Sequence, residues 1–122
     1  MIKPIKLNAR GCFTPNLTSE LIVETALNNI KSDLSILELG CGSGYIGINI
    51  IKESNYKIDL SASDIDSNAI KCATMNYSEN QIKCNLKLSN CLDSWDGSVF
   101  DMIICDISAI DQSIAKITPW YN

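Results

Sequence analysis

The 122-residue sequence contains no histidine. That absence removes the commonest general base and any Ser-His catalytic triad. It also leaves a zinc site dependent on cysteines drawn from scattered segments. The six cysteines, at 12, 41, 72, 84, 91 and 105, fall at irregular intervals with no C-x-x-C pair. Without a secretion signal, such a set is expected to be small buried hydrophobes in a reducing compartment rather than a disulfide framework. Basic charge is in deficit: 10 Lys and Arg stand against 14 Asp and Glu, for a net charge of −4. This argues against the large basic face that a nucleic-acid footprint needs. No stretch approaches the roughly 20 apolar residues of a membrane span. The opening MIKPIKLNARGCF also lacks the apolar core of a signal peptide, so a cytoplasmic chain is expected.

Nearly half of the residues are apolar and both charge signs are interspersed, which favours a folded chain over a disordered one. No repeat, low-complexity tract or linker divides it. A single domain over 1–122 is therefore expected, burying roughly two-thirds of its unfolded surface. In GCFTPNLTSELIVETALNNI, apolar residues at 23, 26, 27 and 30 follow Pro15 and Thr18 with helical spacing. Thr18 is the expected cap, and Glu20 complements the helix dipole. LSILEL (34–39) predicts a buried parallel strand, YIGINIIKE (45–53) a helix and KIDLSAS (57–63) a second strand ending at Asp64. A helix is expected from Asp66, with Ile70, Ala73 and Tyr77 on one face. IKCNLKLS (82–89) and VFDMIICDI (99–107) complete four candidate strands. Strands alternating with helices predict an α/β fold with a parallel, doubly wound sheet.

The chemistry is concentrated in ILELGCGSGYIGINI (36–50), a strand, turn and helix with glycines at 40, 42 and 44. Glycines there permit a tight turn and close approach of a ligand to the backbone. The spacing is G-x-G-x-G, and Tyr45 stands where a dinucleotide fingerprint has its third glycine, which disfavours a dinucleotide-dependent oxidoreductase. Glu38 ends the strand just before the loop. About 20 residues after the last glycine, Asp64 ends the second strand, where a carboxylate can hold ribose hydroxyls. Capping the next helix is the alternative role for Asp64, although Asp66 is better placed for it.

These motifs resemble the class I S-adenosylmethionine-dependent methyltransferases. ELGCGSGYIGI is similar to their first motif, and SDIDSNAIKCATMN to their second strand and following helix. The resemblance implies a Rossmann-like sheet with S-adenosylmethionine as cofactor. Glu38, Gly40, Cys41, Gly42 and Gly44 would bind it, the loop residues facing its methionine part. Asp64 would accept from the ribose hydroxyls and Ile65 would pack on adenine. SNCLDSW resembles the adenine-binding loop, with Asn90 at the place of the usual Asp and Cys91 against the ring. The nearest group is the release-factor glutamine methyltransferases and small methyltransferase domains. GCFTPNLTSELIVETAL resembles their lead-in, which would set Phe13, Thr14 and Pro15 at the border of the site.

FDMIICDISA aligns with that group's F-D-x-I-x-x-N-P-P-Y, but Asp106, Ile107, Ser108 and Ala109 replace Asn, Pro, Pro and Tyr. The family's grip on an amide or nucleobase nitrogen is thereby lost. Asp106 is instead expected among the cofactor-binding residues, on their acceptor side, accepting from a hydroxyl or an ammonium, with capping of the next helix as an equal alternative. A class I sheet has seven strands, whereas four are legible here. The expected fold is thus a truncated one of strand order 3-2-1-4, with a lead-in over 1–33 and a core over 34–122. Its fourth strand would be an apolar edge, expected to pair with a second copy or a partner chain unless the tail with Pro119, Trp120 and Tyr121 shields it. The methyl acceptor stays open, as does a non-catalytic remnant that binds the cofactor or a partner through that edge.

Overall fold

Three helices and four strands alternate along residues 17–106, the span that the computed structural model describes. They are α1 (Leu17–Asn29), β1 (Leu34–Leu39), α2 (Tyr45–Glu53), β2 (Ile58–Asp64), α3 (Ser67–Glu79), β3 (Asn85–Leu88) and β4 (Met102–Cys105). A short 3₁₀ turn, Asp93–Trp95, lies between β3 and β4. The strands form one parallel sheet of order β3-β2-β1-β4, as expected.

Alternation along the strands sorts the sheet into two faces. Ile36 pairs with Leu60 and Met102, and Glu38 with Ala62 and Ile104. Ile36, Leu60, Ala62 and Ile104 belong to a single buried cluster with residues of all three helices: Val23 and Ala26 of α1, Ile46, Ile48 and Ile50 of α2, and Ala73 and Tyr77 of α3. Each Val, Leu or Ile side chain so buried contributes roughly 1.5–3 kcal/mol. The opposite face carries Leu37, Ser61 and Ser63, and the β3–β4 connection covers part of it. There Trp95 donates from Nε1 to Ser63 Oγ at 3.0 Å, meets Phe100 edge-on at 5.6 Å and lies beneath Lys87 Nζ at 4.3 Å.

Several local expectations need adjustment. Thr18 lies within α1 rather than capping it. β3 and β4 are shorter than the apolar runs from which they were predicted. Before β4, the Asp101 carboxylate accepts from Ser35 N–H at 2.8 Å and from Ser35 Oγ at 3.1 Å, so the residues ahead of it form loop. Val99, 89% exposed, stands in solvent. The expectation of buried, unpaired thiols holds for Cys41; Cys84 is unpaired and half-buried, Cys91 and Cys105 are unpaired but exposed, and Cys72, buried on α3, is disulfide-bonded.

Candidate functional site

The residues singled out from sequence gather at the carboxyl ends of the parallel strands, where open α/β sheets hold their ligands. Glu38 stands near the end of β1, Asp64 ends β2, Asn90 and Cys91 follow β3, and Asp106 follows β4. Phe13, Thr14 and Pro15 lie outside the described residues, as do Ile107, Ser108, Ala109 and the tail.

The glycine loop is bent by its own backbone. Gly40, Gly42 and Gly44 have φ of 69°, 53° and 90°, a left-handed region that costs a side-chain-bearing residue roughly 1–2 kcal/mol. Gly44 also caps α2 without any side-chain hydrogen bond, and a Cβ there would lie 2.8 Å from Tyr77 Cε2. Asn76, fully buried on α3, donates from Nδ2 to the Ser43 carbonyl at 2.8 Å and pins the loop from behind.

Asp64 closes the loop from the neighbouring strand. Its Oδ2 accepts from Gly42 N–H at 3.0 Å and its Oδ1 from Asp66 N–H at 3.0 Å. Asp66 is the side-chain cap of α3, accepting from Asn68 N–H at 2.9 Å, which leaves Asp64 to the loop. Each carboxylate oxygen retains a further lone pair, so Asp64 can still accept from two vicinal hydroxyls. Beside it Ile65 is 43% exposed, an apolar platform in the open.

The loop after β3 is organised by Ser89. Its hydroxyl donates to the Cys91 carbonyl at 2.9 Å and accepts from Ser94 N–H at 3.0 Å. Ser89 N–H in turn donates to the Asp64 carbonyl at 3.0 Å, which brings Asn90 and Cys91 alongside Asp64. Both are exposed, and Cys91 adopts φ 50°. Cys41 differs: its side chain is buried, burial first of all pushes its thiol well above the usual range, and its backbone N–H donates to the Ser63 carbonyl at 3.0 Å.

Glu38 is 2% exposed, and its Oε1 has no hydrogen-bond partner. Burial pushes its carboxyl up to about 8; the Gly47 N–H lowers it part-way, and the charges of Asp106 and Asp64 raise it. Asp106 is also 2% exposed, and Ser19 Oγ of α1 donates to its Oδ2 at 3.4 Å. Among the described residues no group of three or more metal-ligating side chains forms a metal site.

Ser19, Asn76, Ser89 and Trp95 escaped sequence reasoning. Asn76 left a trace, since it is a polar residue on the α3 face otherwise marked by Ala69, Ala73 and Tyr77.

A left-handed glycine loop, a carboxylate locked to it from the next strand and an exposed apolar residue beside that carboxylate stand together at the carboxyl ends of the strands. Residues 13–107 match the family model described as the methyltransferase small domain. The chain belongs to that family. Relatives include ribosomal RNA small subunit methyltransferase C of Haemophilus influenzae (strain 86-028NP), 36% identical over 86 residues that cover 70% of this chain and 25% of that protein. Release factor glutamine methyltransferase of Lactococcus lactis is 31% identical over 123 residues, covering 94% of this chain and 45% of the relative. Among solved structures, the plantazolicin methyltransferase BpumL, in complex with a triazolic desmethylPZN analog and S-adenosyl-homocysteine (SAH), superposes with a TM-score of 0.59 at 29% identity. That match covers 70% of this chain and 34% of BpumL. The domain thus spans between a quarter and just under half of these curated relatives.

The described residues fit an adenosyl cofactor. Gly40 is half-buried in its left-handed turn, Asp64 has acceptor capacity beside the loop, and Glu38 Oε1, near the end of β1, is buried without a hydrogen bond.

Proposed function

We propose that this domain is the cofactor-binding part of an S-adenosylmethionine-dependent methyltransferase that transfers a methyl group to its acceptor by direct displacement. The observation that carries this reading is the bond from Gly42 N–H to Asp64 Oδ2, which fixes a glycine loop against a strand-terminal carboxylate at the carboxyl edge of the sheet. When bound, the cofactor supplies an electrophilic methyl group on a sulfonium, so the chain has only to bind, orient and exclude water. Glu38 and the backbone of Gly40, Cys41, Gly42 and Gly44 hold the methionine part. Asp64 accepts from the ribose hydroxyls. Ile65, Asn90 and Cys91 surround the adenine, Phe13, Thr14 and Pro15 border the site, and Asp106 faces the acceptor.

Calorimetric titration with SAH tests the reading. Binding is expected in wild type and strongly weakened in Asp64→Ala. No heat of binding at millimolar ligand overturns it.

A second role is favoured by the edge of the sheet. β4 borders a groove of about 420 Å³ whose walls include Leu21, Ile22 and Ala26 of α1 and Met102 and Ile103 of β4. Ile103 is 54% exposed and Leu21 is also exposed. Such an edge pairs readily, and it is proposed to bind a second copy or a partner chain. A concentration-independent monomer in sedimentation excludes the self-pairing. No helix among the described residues is long and apolar enough to cross a membrane. The cytoplasm, where ribosomal RNA resides, is the proposed compartment.

A further inference from the structure

Two elements hold the glycine loop, and they grip it at different points. From β2, the Ser63 carbonyl accepts from Cys41 N–H at 3.0 Å, and Asp64 Oδ2 accepts from Gly42 N–H at 3.0 Å. From α3, Asn76 Nδ2 donates to the Ser43 carbonyl at 2.8 Å. Within the loop, Gly44 N–H donates to the Cys41 carbonyl at 2.9 Å. The Ser43–Gly44 peptide unit is thus bonded at both ends, its oxygen to a helix and its N–H to the loop itself. Its oxygen is the point at which α3 takes hold.

That peptide unit needs an anchor. A peptide plane inverts when ψ of the residue before it and φ of the residue after it change together. Gly44, at φ 90°, adopts negative φ about as readily, so the residue that permits the turn also permits inversion. Inversion would exchange the directions of a carbonyl and an N–H directly ahead of α2, whose cap makes no side-chain hydrogen bond. Asn76 opposes it from a fixed place. Its side chain is fully buried, and its backbone carbonyl accepts from Asn80 N–H at 3.1 Å and Asn80 Nδ2 at 2.8 Å. Asn76 Nδ2 also lies 3.8 Å from Cys72 Sγ, one turn earlier on α3. The Ser43 carbonyl and this sulfur are both acceptors, so the amide turns its nitrogen, not its oxygen, towards them. The next residue, Tyr77, sets its ring so close to Gly44 that a Cβ there would lie 2.8 Å from Cε2. Helix and loop therefore meet at two consecutive residues of α3.

We infer that Asn76 is a positioning residue for the cofactor, keeping the Ser43–Gly44 peptide in the one orientation in which the loop takes the methionine part. This inference rests on the cofactor reading above and adds to it a residue of α3. Being fully buried, Asn76 acts through the Ser43 carbonyl rather than on the ligand. Ser43 is 3% exposed, so loss of the amide takes a donor from a buried carbonyl and makes inversion cheaper. A loop correctly set for about a tenth of the time binds its ligand about tenfold more weakly.

Backbone amide exchange, followed by NMR on the ligand-free chain, tests the anchor, and calorimetry with SAH tests its consequence. In wild type, Gly44 N–H is expected to exchange about a hundredfold or more slowly than an unbonded amide. In Asn76→Ala it should exchange about tenfold faster than in wild type, while Cys41 N–H, held by β2, keeps its rate. SAH should bind Asn76→Ala about tenfold more weakly. Ile30→Val is the control, because Ile30 is buried in the core ahead of β1 and so at the far end of that strand from the loop. It loosens the core without touching the loop, and its SAH affinity should match wild type. An unprotected Gly44 N–H in wild type overturns the inference even if Asn76→Ala fails to fold. Unchanged SAH affinity in folded Asn76→Ala also overturns it, and so does an equal loss in Ile30→Val. If SAH fails to bind wild type while Gly44 N–H is protected, it is the cofactor reading that falls, and the role of Asn76 towards a cofactor falls with it.

Discussion

Ser19 and Asp106 are 87 positions apart in the chain, yet the hydroxyl of the first donates to the carboxylate of the second at 3.4 Å, with both side chains buried. The contact ties the lead-in helix to the end of the edge strand. The bond is long, so its net contribution lies at the lower end of the usual 0.5–1.5 kcal/mol, or about 0.5 kcal/mol. Ser19→Ala is therefore expected to lower the urea midpoint slightly with an unchanged slope. Ser19→Val adds bulk where there is no room and should cost about 1–3 kcal/mol. Equal midpoints for wild type and Ser19→Val would show that the helix is not packed against the strand end.

Asp64 serves the loop before it serves any ligand. Removing its side chain leaves the buried Gly42 N–H without its carboxylate partner and also deletes the bond from Asp66 N–H. Asp64→Ala should destabilise the chain by about 1–3 kcal/mol, as expected for lost charge-assisted bonds. Asp64→Asn retains one oxygen acceptor and should fall between. Chemical denaturation of the three proteins in the absence of cofactor checks the order. A variant as stable as wild type would mean that the loop holds its shape unaided.

Much of this arrangement was legible because it is written locally. The short apolar run of LSILEL and the glycine spacing that follows are features of adjacent residues, and Asp66 sits directly before α3 as a cap should. The limits appeared where an outcome depends on distant partners. VFDMIICDI reads as nine strand-like residues, but Phe100 turns to Trp95 and Asp101 clamps Ser35, so only Met102–Cys105 joins the sheet. The bonds of Ser19 to Asp106 and of Asn76 to Ser43 span 87 and 33 positions and have no local signature. Cys72 makes the same point, since irregular cysteine spacing says nothing about which thiol becomes oxidised.

Gly47 and Tyr77 meet inside the core. A Cβ on Gly47 would collide with the Tyr77 hydroxyl and lie 2.9 Å from Leu60 Cδ2 and 3.3 Å from Glu38 Oε1. Gly47→Ala is expected to cost about 1–3 kcal/mol, the usual penalty of overpacking. The Tyr77 hydroxyl is buried and makes no hydrogen bond. Tyr77→Phe should consequently be neutral or stabilising by itself, since no partner is left unpaired. The double variant should recover part of the loss, because the phenol oxygen is the nearest obstacle. Additive effects in the denaturation cycle would show that Leu60 or Glu38, rather than Tyr77, sets the penalty.

Glu38 makes the stability of the domain depend on pH. Burial first of all raises its carboxyl from 4.5 to about 8, with Gly47 N–H opposing and the Asp106 and Asp64 charges assisting. Cys84, pushed up to about 12, and Cys41 and Tyr77, also raised by burial, stay neutral across this range. Between pH 4.5 and about 8 the folded chain holds a proton that the unfolded chain has released. The folded state then binds more protons, so this contribution is complete below pH 4.5 and is lost as pH rises through about 8. The urea midpoint of wild type should decline across that window. Glu38→Gln keeps the shape but cannot ionise, and its midpoint should decline less over the same range. Parallel pH profiles for the two proteins would mean that Glu38 is already ionised in the folded state, with Oε1 held by a contact that offsets its burial.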